Sequence, residues 1–96
     1  MQRSITDDWN RVYVRVNATI DKTGYMLPTS ITWDDGRTFP IDSIISVRPA
    51  SSVIPHLSGD CYHVMIHGEQ KHLYFDRVTW ANGGVIGRWS VLIPTA

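Results

Sequence analysis

The chain has 96 residues, and nine Lys and Arg balance nine Asp and Glu, so its formal net charge is zero at neutral pH. That length predicts one domain, able to bury about 60–65% of the surface its unfolded chain exposes without covalent staples. The charge balance excludes a broad basic footprint for duplex nucleic acid or an acidic membrane surface. No apolar run approaches the roughly 18 residues a spanning helix needs, so no membrane partner is expected. The first 25 residues carry Asp7, Asp8, Arg11 and Arg15 and no apolar stretch, so no secretory signal is expected. Cys61 is the single cysteine. It excludes an internal disulfide and fits a reducing, cytoplasmic setting.

Val, Ile and Thr supply 27 of the 96 residues, whereas Leu, Ala, Glu, Lys and Gln together supply 13. β-Branched side chains suit pleated, half-buried surfaces and the good helix formers are scarce, so the fold class is all-β. Residues 1–10 show no periodicity and read as an N-terminal arm; 11–96 read as one β domain. From Arg11 the pattern alternates, with Val12, Val14, Val16, Ala18 and Ile20 on one face and Arg11, Tyr13, Arg15, Asn17 and Thr19 on the other. This predicts a long antiparallel strand with one wet face, closed by a turn at Asp21-Lys22-Thr23-Gly24. A second strand is expected from Tyr25 to Trp33.

The turn that follows fixes a register. A two-residue Asp35-Gly36 turn would pair Trp33 with Thr38 and Ile31 with Pro40, setting apolar against polar. A three-residue loop ending in a left-handed Gly36 pairs Trp33 with Arg37, Ile31 with Phe39 and Thr29 with Ile41. The second groups the apolar side chains and is preferred; it also lays the Arg37 guanidinium near the Trp33 ring. The third strand runs through a bend at Pro40 to Arg48 and stops at Pro49. Residues Ala50 to Ser58 read as a loop over one barrel end, with Val53, Ile54 and Leu57 plugging the core. Cys61–His67 and His72–Arg77 form a hairpin around Gly68-Glu69-Gln70-Lys71, pairing Ile66 with Leu73 and Val64 with Phe75. After a loop at Asn82-Gly83-Gly84, Val85 to Ile93 makes the last strand, ended by Pro94. About six strands predict a small antiparallel barrel or rolled sheet, SH3-like, with an OB-like barrel as the alternative.

Four histidines raise the question of a metal. In this register His67 and His72 face each other at about 5 Å between Cβ atoms, the spacing two ligands need. The next pair, Met65 and Tyr74, offers no hard ligand, and His63 opposite Asp76 lies about 13 Å further along. No metal site and no cofactor are therefore expected. Cys61 shares a face with His63, yet nothing in its surroundings would lower its pKa. Asp34 and Asp35 are accounted for by the turn, and Asp42 is placed for pairing with Arg37 or Arg48. Gly83-Gly84 lacks the strand-to-helix context of a phosphate loop. With no nucleophile–base pair and no ligand set, no catalytic residue is assigned and the chain is read as a non-enzyme.

The binding signal that remains is aromatic and arginine side chains on wet strand faces: Arg11, Tyr13 and Arg15; Trp33 and Arg37; Arg48; Arg88 and Trp89. Stacking rings beside guanidinium groups suit single-stranded nucleic acid. The alternative is a protein-interaction or homo-oligomeric module using an open strand edge, as a monomer or homodimer.

Several of these motifs together resemble a family of small, functionally uncharacterised proteins of Gram-positive bacteria. They are Asp21-Lys22-x-Gly24, Trp33-Asp34-Asp35-Gly36-Arg37, Ile41-Asp42, Arg48-x-Ala50-Ser51, Ile66-x-Gly68 and Arg88-Trp89. The resemblance covers most of the chain and leaves out Met1 to Asn10. It implies a small β-barrel-like fold, no established activity, and a setting near DNA repair, with a DNA-repair protein as a partner class. The chain departs from the pattern at His63, His67 and His72, where Thr, a basic residue and an aromatic are expected. It also departs at Ser90, and through an insertion-like stretch from Thr79 to Ile86.

Overall fold

Among the described residues, alternating apolar positions become seven antiparallel strands: β1 (Trp9–Ile20), β2 (Met26–Thr32), β3 (Thr38–Pro40), β4 (Ser43–Pro49), β5 (Asp60–Ile66), β6 (Glu69–Thr79) and β7 (Val85–Pro94). A computed structural model describes residues 9–55, 57–79 and 85–94. The strands form one sheet in the order β3-β2-β1-β7-β6-β5-β4. Its two edges, β3 and β4, are neighbours in the chain, joined by Ile41 and Asp42. Ile41 N–H donates to the Thr29 carbonyl at 2.9 Å and Asp42 N–H to the Met65 carbonyl at 2.8 Å. One bent stretch thus serves both edges, and the sheet curls into a half-barrel. Among the described residues there are seven strands where about six were expected, because the third expected strand breaks here: Pro40 has no ladder donor, and Asp42 has turned to β5.

The inner face carries the main core of Ile31, Tyr62, Val64, Ile66, Leu73 and Trp89, with Val14, Val16, Phe39, Phe75 and Val91 packed against it. Leu73 and Val64 are fully buried, each contributing roughly 1.5–3 kcal/mol of transfer free energy. The Tyr62 hydroxyl crosses the interior and donates to the Met26 carbonyl at 2.9 Å. Trp89 packs against Tyr62 and Phe75, with ring centroids 5.2 and 4.8 Å away.

The β2–β3 hairpin has the expected register. Ile31 pairs with Phe39, Trp33 N–H donates to Arg37 at 2.9 Å, and Gly36 takes φ +90°, a conformation that side chains with a Cβ resist. Elsewhere the structure corrects the sequence. β1 begins at Trp9, inside the expected arm. A bulge between Asn17 and Ala18 breaks the alternation, and Ala18 and Ile20 leave the core, Ile20 being 71% exposed. Thr29 is the extra residue on β2, beside Pro28, which has no N–H to donate.

The β5–β6 hairpin closes on two residues, His67 and Gly68, at φ +52° and +75°, the paired left-handed geometry of a tight hairpin turn. Ile66 therefore pairs with Glu69 and Tyr62 with Leu73, in place of the expected Ile66–Leu73 register. His72 meets His63, not His67. The loop after β4 is also relocated. It opens with a single 3-10 turn, Ala50–Ser52, and lies on the outer face of the sheet instead of plugging a barrel end. There Ala50 and Ile54 form a second cluster with Cys61 and Tyr74, flanked by Val53, Leu57 and Leu92.

Candidate functional site

β6 serves two ladders. Its residues 69–75 pair with β5, and 74–79 pair with β7. β7 in turn pairs with β6 through residues 85–90 and with β1 through 89–94. Beyond the Tyr74–Ser90 pair the two strands part. Glu69–Leu73 and Val91–Ile93 are then left with one edge each that has no strand partner among the described residues. A groove of about 890 Å³ occupies this divergence. Ile31, Phe39, Leu73 and Val91 line it from the inner side, Val53, Ile54 and Leu92 from the outer, and Trp33 stands half-buried in its wall. Glu69 and Lys71 at its rim pair with each other at 3.0 Å. The walls are largely apolar; His67, Gln70 and His72 add polar side chains, and the two strand edges add main-chain groups with no strand partner among the described residues.

A second arrangement lies on the outer face, where β1 and β7 bring Arg11, Tyr13 and Arg88 together. The Arg88 guanidinium carbon is 4.3 Å from the Tyr13 ring centre and that of Arg11 is 5.8 Å away. Arg11 Nε donates to Ser90 Oγ at 3.2 Å, and Arg88 Nη2 lies 3.6 Å from Asp76 Oδ2. Asp76 is 8% exposed. Arg11 Nη2, Arg88 Nε and Asp76 Oδ1 are buried and have no hydrogen-bond partner among the described residues. Asp76 thus pairs with Arg88 while Ser90 holds Arg11, and a cation already covers one face of the Tyr13 ring.

The other expected site residues are scattered. Arg15 is exposed on β1, and Arg48 is exposed on β4 opposite Cys61. Arg37 is held in its own turn by Asp35, at 2.6 Å between Nε and Oδ2, and its guanidinium lies 5.8 Å from the Phe39 ring, not over Trp33. Its backbone N–H bond to Asp35, helped by its charge, keeps that carboxyl below the usual range. Trp89 is a core residue. Asp42 makes no ion pair with Arg37 or Arg48 among the described residues; its carboxylate accepts the Gly68 N–H at 3.4 Å.

Burial pushes the Cys61 thiol pKa up, opposed in part by the Arg48 charge, which favours the protonated thiol. Burial, with Cys61 beside it, pushes the Tyr74 phenol up to about 12. His72 is lowered by burial first, then by His63 and Arg48. No set of three His, Cys, Asp or Glu side chains arranged for a metal occurs among the described residues. No helix of the described residues is long and apolar enough to cross a membrane.

The sequence reading missed Asp76, Ser90 and the groove. Pairing β6 with β7 would have found the first two, because that register sets Asp76 opposite Arg88 and Tyr74 opposite Ser90. Comparison with protein-family models, with curated proteins and with solved structures finds no match.

Proposed function

We propose that this chain is a small, SH3-like, cytoplasmic and non-catalytic binding module that takes an extended segment of a partner protein into the groove between β6 and β7. The observation that carries this reading is the divergence itself. Two strand edges, Glu69–Leu73 and Val91–Ile93, face one apolar groove without a partner among the described residues. An added strand gains main-chain hydrogen bonds from such edges, and the apolar walls receive alternate side chains. The volume, about 890 Å³, is in the range of sites that enclose a ligand. A displayed library of short random peptides tests it. Selected peptides should protect the amides of Lys71–Leu73 and Val91–Ile93 from hydrogen exchange, and Ile93→Asp at the rim should weaken them. Protection confined to other strands would remove the reading.

A second reading, single-stranded nucleic acid on the outer face, is favoured by one observation: Arg11, Tyr13 and Arg88 converge there. It ranks below the first because Asp76 and Ser90 already engage both guanidinium groups. Amide shifts at Arg11, Tyr13, Arg15 and Arg88 on adding a short single-stranded oligonucleotide, fading with salt, would favour it. The resemblance to the Gram-positive family would place the partner protein of the first reading among DNA-handling proteins.

A further inference from the structure

The corrected register of the β5–β6 hairpin sets His63 directly opposite His72 on the outer face. Their ring centroids are 4.8 Å apart with the planes inclined at 59°. We propose that these two imidazoles form a binding site for one late first-row divalent metal ion, Cu²⁺ ahead of Zn²⁺. Two nitrogens bound to one ion at about 2.0 Å each lie within about 4 Å of each other. Opposed side chains on neighbouring strands reach that spacing by rotating about their own bonds, since their Cβ atoms are only about 5 Å apart. The backbone stays where it is.

The surroundings prepare one ring. His63 Nε2 lies 2.9 Å from Gln70 Oε1. An amide oxygen only accepts, so Nε2 carries the proton and Nδ1 keeps the lone pair that binds metal. His72 is the second ring, directly across the ladder on β6. The Tyr74 ring stands edge-on to it at 6.4 Å. With no third His, Cys, Asp or Glu grouped here among the described residues, water completes the coordination shell. Two imidazoles and water suit copper best in the order of divalent stabilities; a structural zinc site needs four protein ligands. Arg48 sets a like charge near the site and weakens it.

The test is a titration of the full chain, without a polyhistidine tag, with Cu²⁺ and separately with Zn²⁺, read by calorimetry and by the nitrogen hyperfine pattern of bound Cu²⁺. The chain should take up one Cu²⁺ at micromolar concentration, about tenfold more tightly than Zn²⁺. His63→Gln and His72→Gln should each weaken Cu²⁺ by about tenfold or more and remove one nitrogen from the pattern. Arg48→Gln should tighten it by about two- to fivefold, and His67→Gln should leave it unchanged. Far-ultraviolet circular dichroism checks that each variant is folded. Equal affinity in the chain and both histidine variants, or no micromolar Cu²⁺ binding by the folded chain, overturns the proposal.

Discussion

Arg88 and Asp76 form an unequal pair, and that inequality predicts the outcome of removing each. The Asp76 side chain is 10% exposed and the Arg88 side chain 41%, with 3.6 Å between Nη2 and Oδ2. At that separation and an effective dielectric near 20, the attraction is about 4–5 kcal/mol before the cost of desolvation is set against it. Asp76→Asn keeps the shape and leaves Arg88 on Tyr13, partly in water, so the expected loss is about 1 kcal/mol. Arg88→Gln strands a buried carboxylate whose Oδ1 already has no partner among the described residues. Removing one partner of a fully buried pair costs about 3–5 kcal/mol; with Arg88 half in water we expect about 2–3 kcal/mol. Urea denaturation followed by tryptophan fluorescence reads the difference as a shift in midpoint at unchanged slope. Thermal midpoints should fall by about 10–20 °C for Arg88→Gln and about 4–8 °C for Asp76→Asn. The double variant should be more stable than Arg88→Gln alone, since the stranded charge has gone. Equal losses from the two single variants, or a double variant that adds them within about 0.5 kcal/mol, would refute the reasoning.

Three further outcomes follow from local geometry and titration. His67 holds φ +52° at the first position of its turn, where Asn is preferred, so His67→Asn should raise the urea midpoint by the equivalent of about 0.5–1 kcal/mol; a fall would contradict the turn assignment. The lowered His72 pKa means the unfolded chain binds a proton first on acidification. Stability should therefore decline as pH falls from about 6.5, the unfolded value, toward the lower folded one, and His72→Gln should remove that limb of a stability–pH profile. Tyr74 is raised to about 12, so its contribution is complete below about pH 10 and is lost as pH rises to about 12; Tyr74→Phe should flatten this alkaline limb.

The two hairpins differ in how much of them the sequence could determine, and the reason is physical. At Trp33–Arg37 the turn chemistry and the apolar grouping favour one register, because sliding the loop by one residue would set Ile31 against Pro40. At the β5–β6 hairpin the competing registers differ by two residues on each strand. Side chains in a strand alternate with a period of two, so both place Tyr62, Val64, Ile66, Leu73 and Phe75 on one face. Apolar pattern cannot separate them. Only the turn can, and its signal is quiet, since His67 is not among the residues that usually open a left-handed pair. Apolar pattern was equally silent on which face Val53, Ile54 and Leu57 would cover. The available clue was Cys61 and Tyr74, two side chains with little need of water on a face otherwise read as wet.

The groove has a different origin, in the division of one strand between two neighbours. The ladders that β6 makes to β5 and to β7 share only Tyr74 and Phe75. A right-handed twist accumulates along each ladder, so two ladders joined over so short a stretch diverge on either side of it. The outer loop fills part of the resulting gap by packing Ile54 on Tyr74 and Cys61, which buries the outer layer but supplies no strand to either edge. Among the described residues, the hydrogen-bonding capacity of the outer edges of Glu69–Leu73 and Val91–Ile93 therefore remains in the groove after the core is complete. A strand entering there would run antiparallel to one wall and parallel to the other. For that reason the amide protection predicted for a bound peptide falls on both strands together, whereas a ligand held by the apolar walls alone would protect neither.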